Sequence, residues 1–506
     1  MRSTSFVVLI FFQARPRAFK RGQKVSIARG LLGNFPGKIS FLSFLSMFAC
    51  FFEQKFGIMI SNKRSRKKWI QMYDYRYEPH RVIFMIDNKS FFASCEALRL
   101  GLNPMEAVLA VMSSQPGAKW GSGLIMAASP LAKQKYGLRN VMRARELPTR
   151  RQAPDLLLVE PHMNLYIKRS MEVLQIFRKY AADEDIHVYS IDESMIDMTE
   201  SWHLFGDDPY LVARKIQKDI HDHLGLYTTC GIGENPLLAK LAMDISAKHR
   251  TSMIACWHYI DVPDTIWKIP KLEDVWGINV RTANRLRRLR INNMYDLAHS
   301  DPALLEREFG VIGNQLFAMS WGVDRSIIRH KYQPKSKSYG NSQILNRDYE
   351  DQRQIEIVIQ EIGDQVAARI RAHHLLAGRV GLYVGYADFE ADPAGFSIQE
   401  KITPTDVSSE LVAELWALFR KKWGGQAVRR LGVTYSCLVP DTGQQLTFFL
   451  SPDQQLKRKQ RDRVVDKLRK KYGFASVVRA SSLLPGATAL ARSRLVGGHN
   501  GGNAYE

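Results

Sequence analysis

At 506 residues the chain has room for several domains, and a hydrophobic content of 45% supports packed cores and excludes a disordered tail. Its 72 Lys and Arg against 50 Asp and Glu leave a formal charge of +22, a balance that favours an anionic partner such as nucleic acid. Cys50, Cys95, Cys230, Cys256 and Cys437 are scattered without a C-x-x-C pair, which argues against a zinc knuckle or a disulfide framework and suits a reducing compartment.

Residues 1–70 differ in character from the remainder of the chain. Phe-rich patches at Phe6–Phe12 and Phe41–Phe52 alternate with basic clusters, and more than half of the net positive charge lies in this stretch. Neither patch reaches the roughly 18 apolar residues of a membrane span. The stretch reads as a disordered leader or as sequence upstream of a start at Met59 or Met72, with a membrane or targeting role as the alternative; no membrane partner is expected for the rest of the chain.

From Arg81 onward the chain is ordered. The apolar run Val82–Ile86 reads as a buried strand ending at Asp87, and Phe91–Leu100 as a helix. Ala107–Met112 is strand-like. The loop Gln115–Gly123 lacks the spacing of a phosphate-binding P-loop, so a hairpin or substrate-facing loop is expected. Met163, Tyr166, Ser170, Leu174 and Phe177 recur at helical spacing. A second apolar run, His187–Ile191, is expected to end as a strand at Asp192 and Glu193. Charged groups at the ends of buried strands are costly unless they are paired or bind a cation. Three hard oxygen donors on neighbouring strands suit magnesium, and with it two-metal phosphoryl transfer.

Val212–Leu224 is a further helix. Tyr227–Gly233 leads into another, opened by Asn235 as N-cap and Pro236 in its first turn. Leu272–Leu289 reads as a helix–hairpin–helix around Trp276–Val280, a device that points backbone N–H groups at a DNA phosphate. Gly277 and Asn279 would form the hairpin, with Asn279 tolerating a left-handed backbone, and Arg281, Arg285, Arg287 and Arg288 would add electrostatic grip. A plain helical turn with a basic face is the alternative. Residues 330–338 read as a linker, Gln354–His373 as a helix, and Arg379–Tyr386 and Val428–Leu438 as strands. A basic helix is expected over Leu456–Lys471, with a frayed end after Gly497. Strands and helices alternate without a repeat, which points to an α+β class.

Two motifs carry a resemblance. Ile86-Asp87-Asn88-Lys89-Ser90-Phe91-Phe92-Ala93-Ser94 and Tyr189-Ser190-Ile191-Asp192-Glu193-Ser194 resemble the signatures of Y-family (UmuC/DinB-type) DNA polymerases, nearest the UmuC-like branch of Gram-positive type. The resemblance runs from about Arg81 to Gly498. It implies a right-hand polymerase: palm 80–90 and 164–248, fingers 91–163, helix–hairpin–helix thumb 249–329, linker 330–338, α/β little finger 339–440 and tail 441–506. By the same resemblance Asp87 and Asp192 would each bind two Mg²⁺ ions, for which Mn²⁺ can substitute. Glu193 would bind the ion nearer the primer end, and the Asn88 carbonyl would add a ligand.

Phe92 falls where this family places a steric gate against ribonucleotides, beside Phe91; read alone, both rings are core aromatics. Lys133 and Lys240 match lysines that reach the nucleotide triphosphate. The family's tyrosine near the first of these is Pro130 here, which leaves its phosphate contacts open, and a solvated lysine is the alternative. For Lys240 the alternative is an i,i+4 pair with Asp244 on a wet face. Gln445, Leu446, Phe448 and Phe449 resemble the peptide with which bacterial polymerases engage the sliding clamp; an apolar strand end is the alternative.

The implied function is low-fidelity, DNA-directed DNA synthesis past damaged template bases, within DNA repair and the SOS response. Primer–template DNA and dNTPs would be substrates; the sliding clamp, accessory subunits or a recombinase filament would be partners, in a cytoplasmic, nucleoid-associated setting. Two other classes stay open. A catalytically silent DNA- and clamp-binding accessory protein would have no use for Asp87, Asp192 and Glu193. A palm-fold nucleotidyl cyclase would have none for the hairpin and clamp peptide.

Overall fold

The computed structural model describes residues 73–113, 123–388, 390–442, 451–496 and 499–500. The chain divides into two units, Met1–Glu78 and Pro79–Glu506. The described part of the first is a single 3-10 turn, Tyr75–Tyr77, capped by Asp74, whose side chain accepts from the Arg76 N–H.

In the second unit, β1 (Ile83–Asn88) leads into α1 (Phe91–Arg99). Then come β2 (Leu109–Ser113), β3 (Leu124–Ala128), α2 (Pro130–Tyr136), β4 (Leu157–Val159) and α3 (Met163–Phe177). Next are β5 (Ile186–Val188), β6 (Glu193–Asp197), α4 (Pro209–Leu224), β7 (Thr228–Gly233), α5 (Pro236–Leu241) and β8 (Ile254–Trp257). Five strands form one sheet in the order β5-β6-β1-β7-β8, with β1 antiparallel to both neighbours. Alternate residues of β1 serve opposite faces, as the two-residue period of a strand requires. Phe84 and Ile86 pack with Tyr166, Ile176 and Phe177 of α3 and Ile216 and Ile220 of α4. Ile83 and Met85 pack with Met195, Ala239 and Met243 on the other side.

That second face is built by close approach. A Cβ on Gly231 would lie 2.0 Å from the Ala239 carbonyl oxygen, and one on Gly233 2.4 Å from the Ala239 nitrogen. Glycine lets α5 rest directly on β7. The helix opens as the sequence indicates: the Asn235 side chain accepts from the Leu238 N–H at 2.9 Å and Pro236 occupies the first turn. Past Leu241 the helix widens into one π turn, Ala242–Ser246.

The acidic motif is placed differently from the strand-end expectation. β5 stops at Val188, and Glu193 already opens β6. The two strands pair as a hairpin, Val188 opposite Ser194, so Asp192 lies in the turn between them. The Ser190 hydroxyl holds that turn, accepting from the N–H of Glu193 at 3.0 Å and donating to Asp192 Oδ1 at 2.6 Å. This polar turn ends the strand early.

A three-stranded sheet, β3-β2-β4, packs against α1 through Ala93, Ala97, Leu109, Val111 and Ala127. α2 is capped by Ser129. Residues 114–122, most of the Gln115–Gly123 loop, lie outside the described residues.

Four short helices come next: α6 (Val280–Arg288), α7 (Met294–Ala298), α8 (Pro302–Phe309) and α9 (Val311–Ser320). The helix expected before the hairpin is only a 3-10 turn, Leu272–Asp274. Gly277 takes the left-handed backbone, at φ +91°. Asn279 is extended, at φ −85°, and its side chain accepts from the Thr282 N–H at 2.9 Å. The need of α6 for an N-cap prevails over a second left-handed residue.

β9 (Tyr339–Tyr349), α10 (Gln352–Ala372), β10 (Leu375–Tyr386), β11 (Gly395–Thr405), α11 (Ser408–Lys422) and β12 (Val428–Pro440) form a four-stranded antiparallel sheet, order β11-β10-β12-β9, packed against both helices. Gln445, Leu446, Phe448 and Phe449 lie outside the described residues. The expected basic helix is α12 (Pro452–Tyr472), and its inner side is charged. Arg371 of α10 pairs with Asp466 at 2.6 Å, and Lys459 pairs with Asp441 at 2.8 Å. Beyond it Arg479 meets Asp364, and Glu361 accepts from the Thr488 N–H at 2.9 Å. Residues 451–496 thus pack along α10. No helix among the described residues is long and apolar enough to cross a membrane.

Candidate active site

Antiparallel pairing sets Asp87 of β1 directly opposite Glu193 of β6. The Asp192 carbonyl accepts from the Asn88 N–H at 2.9 Å and from Asn88 Nδ2 at 3.0 Å, so the acidic turn is stitched to the end of β1. Asp87, Asn88, Asp192 and Glu193 are therefore brought together. Asn88 Oδ1 is buried without a hydrogen-bond partner.

Each carboxylate has a partner within the chain. Lys248 Nζ lies 3.0 Å from Asp87 Oδ2, Lys240 Nζ lies 2.8 Å from Glu193 Oε1, and Asp192 Oδ1 accepts from Ser190. Asp244, in the π turn, joins the two lysines, 3.1 Å from Lys240 and 2.8 Å from Lys248. Lys240 is buried, so the i,i+4 pair with Asp244 exists but not on a wet face. Buried charges of this kind persist only when paired.

Burial pushes the Asp87 carboxyl up to about 6; Lys248 opposes the shift, while Glu193 and Asp192 add to it. The acids thus crowd one another and draw on two ammonium groups for relief. Three carboxylates and an orphaned amide oxygen are hard donors, the chemistry a small divalent cation takes. Among the described residues no three His, Cys, Asp or Glu side chains stand arranged to hold one ion. By donor type the residues fit divalent cations.

Between β1 and α1 stands Ser90, at φ +48° in the left-handed region, a strained position for a residue with a Cβ. Lys133 Nζ donates to its hydroxyl at 3.2 Å. Burial lowers the pKa of Lys133, with Asp87 opposing the shift. Lys133 thus reaches the same end of β1 from α2. Phe91 enters the core, whereas Phe92 is half-buried and stacks on Tyr166. Phe92 thus packs at the margin of the core that holds Phe91.

The hairpin reaches the site through Trp276, whose Nε1 donates to the Tyr189 hydroxyl at 3.1 Å; Lys240 lies over the Tyr189 ring at 5.8 Å. Arg281 is exposed. Arg285 is already engaged, donating to the Glu308 carbonyl and lying 4.4 Å over the Phe309 ring. Sequence reasoning misses Lys248. Its i,i+4 spacing from Asp244 is visible there, but the π turn that aims it at Asp87 is not.

The impB/mucB/samB family model matches residues 86–244, and the model of that family's C-terminal domain matches 336–448. UvrX of Bacillus subtilis, named for UV-damage repair, is 37% identical over 85% of this chain and 100% of its own length. DNA polymerase IV 2 of Halalkalibacterium halodurans is 31% identical over 83% of this chain and 99% of its own. DNA polymerase IV 2 of B. subtilis is 32% identical over 83% and 98%. A chimeric Y-family DNA polymerase shares the fold at a TM-score of 0.58 and 20% identity, covering 71% of this chain and 99% of that one. With both halves matched and full-length relatives above 30% identity, the chain belongs to the impB/mucB/samB family, the UmuC/DinB-type Y-family polymerases, in their Gram-positive form.

Proposed function

We propose that this DNA-directed DNA polymerase extends primers past damaged template bases by two-metal phosphoryl transfer, as part of an SOS-type damage response. The observation that carries the reading is the register of Asp87 against Glu193, with Asp192 in the adjoining turn and lysines on both flanks. In this reading 80–90 and 164–248 are palm, 91–163 fingers, 249–329 thumb and 339–440 little finger.

Asp87, Asp192, Glu193 and the Asn88 backbone carbonyl would hold two Mg²⁺ ions, with Mn²⁺ able to replace them. When bound, such ions lower the pKa of the primer 3′-hydroxyl and neutralise charge on the triphosphate and departing pyrophosphate. The chain's own groups do the rest. Lys133, Lys240 and Lys248 line the triphosphate path with positive charge, and in the free protein Glu193, Asp244 and Asp87 compensate Lys240 and Lys248 while Lys133 donates to Ser90. The Ser190 hydroxyl fixes the turn that carries Asp192 and Glu193. Phe92 stands against the nucleotide sugar as the steric gate, with Phe91 anchoring it to the core.

Gly277, Asn279 and Arg281 grip duplex phosphate without reading bases. Arg285 braces the hairpin against α8. Gln445, Leu446, Phe448 and Phe449 are the proposed clamp-binding peptide, with accessory subunits or a recombinase filament as further partners. The test is extension by the full chain of a primed template with and without an abasic site, with Mg²⁺ and dNTPs. Extension past the lesion supports the proposal. Loss of extension on both templates, with clamp and accessory proteins supplied, would favour a silent accessory protein.

A further inference from the structure

Behind Phe92 lies a buried acid that phosphoryl transfer does not use. Glu96 stands one turn along α1 from Phe92 and is fully buried. An unpaired carboxylate at such a place is very costly. Three donors meet it: the Tyr166 hydroxyl donates to Oε1 at 2.6 Å, His162 Nδ1 lies 2.9 Å from the same oxygen, and Arg99 Nε donates to Oε2 at 2.7 Å. Tyr166 is itself fully buried, and its ring lies flat on that of Phe92, centroids 4.5 Å apart and planes inclined by 18°. Burial, then the Glu96 carboxylate, push the Tyr166 phenol well above its ordinary range, so it remains the donor at neutral pH.

Stacked rings tolerate lateral offset at little cost, so a stack alone does not fix where Phe92 sits. Here the lower ring is tethered. Phe92 and Glu96 lie on one face of α1 at i,i+4, and Tyr166 from α3 bridges them, ring to ring at one end and hydroxyl to carboxylate at the other. Sliding the Phe92–Tyr166 pair would strip a buried carboxylate of a donor. A gate that rejects a single hydroxyl group depends on placement to a fraction of an ångström.

We propose that Glu96, acting through Tyr166 and held in turn by Arg99 and His162, is a positioning residue that sets sugar selection. The inference rests on the reading of Phe92 as the gate.

The measurement is the ratio of kcat/KM for a ribonucleoside triphosphate to that for its deoxy counterpart, on an undamaged primed template. Loss of folded enzyme lowers both values and leaves the ratio alone, so a merely structural role would not move it. Phe92→Ala should raise the ratio most. Tyr166→Phe keeps the stacked ring and removes the hydroxyl; it should raise the ratio about tenfold, the worth of one hydrogen bond to a charged acceptor. Added to Phe92→Ala it should change nothing further, because the group it positions is gone. An unmoved ratio in Tyr166→Phe beside a raised one in Phe92→Ala overturns the positioning role. An unmoved ratio in Phe92→Ala overturns the gate reading itself. If Tyr166→Phe does not fold, Glu96→Met serves: it fills the space of the acid and leaves the Tyr166 hydroxyl without its acceptor. A rise there supports the role, and no rise overturns it.

Discussion

Asp87 and Glu193 face each other across two antiparallel strands, and each is met by its own lysine, Lys248 at 3.0 Å and Lys240 at 2.8 Å. Asp244 ties those lysines together. The pairing answers a problem of burial: acids crowded at the ends of two strands are compensated by ammonium groups of the chain itself.

Removing one acid should therefore silence chemistry without dismantling the DNA grip. Asp192→Ala and Glu193→Ala are each expected to abolish primer extension while duplex affinity stays within about twofold, because that affinity rests on phosphate contacts elsewhere. Extension assays and fluorescence anisotropy on the same preparations check this. Retained extension in either variant would remove the metal assignment.

Asp244→Asn keeps the shape of the bridge and deletes its charge. We expect weaker nucleotide use, with kcat/KM for dNTPs down about tenfold or more, and a stability loss of about 1–2 kcal/mol, reduced from that of a fully buried pair because Asp244 is partly exposed. Single-nucleotide insertion kinetics and thermal unfolding report the two effects. Wild-type kinetics would mean that the lysines hold their places unaided.

Gly231 and Gly425 separate crowding from backbone strain. An alanine Cβ at Gly231 would meet the Ala239 carbonyl at 2.0 Å, whereas at Gly425 it would meet nothing within 4 Å but sit at φ +93°. Gly231→Ala should cost about 3 kcal/mol or more and reduce insertion, since α5 carries Lys240. Gly425→Ala should cost about 1 kcal/mol and leave insertion alone. Melting curves beside insertion rates test both, and equal effects would discredit the close-approach account.

The segment 451–496 should be integral to the domain it covers. Arg371 is nearly fully buried and is met by Asp466 at 2.6 Å and Asp462 at 3.7 Å. The double variant Asp462→Ala/Asp466→Ala removes both paired acids, leaving that guanidinium only the Asp406 carbonyl and the Ser408 hydroxyl, and is expected to destabilise the four-stranded domain by about 3 kcal/mol. Hydrogen exchange along α10 in the full chain would show it; unchanged protection would mean that the segment adds nothing.

Local features of the site are legible in the sequence, and long-range ones are not. Asp87 ends an uninterrupted apolar run, and Asn235-Pro236 announces its helix, because strand periodicity and capping are written within a few residues. The hairpin turn at Asp192 reads as a strand end in sequence, since Ser190 acts through hydrogen bonds that composition does not reveal. Asn279 reads as a left-handed residue; its capping duty depends on where α6 starts, and a glycine two residues earlier has already made the turn. Lys248 and Glu96 escape notice because their partners lie far along the chain, Asp87 for one and Tyr166 for the other. The contacts of 451–496 with α10 span about a hundred residues and leave no local trace.

The π turn at Ala242–Ser246 carries a consequence that no single side chain expresses. In a regular α-helix, residues eight apart point about 80° away from each other, whereas residues seven apart nearly coincide. A π turn accommodates one extra residue and so takes up part of that rotation before the 3-10 turn Ala247–His249 that carries Lys248. The widened turn thus contributes a phase correction that lets both lysines, on successive helical segments, meet Asp244 between them. Straightening it into regular helix would leave every side chain of the cluster in the chain and still rotate Lys248 away from Asp87.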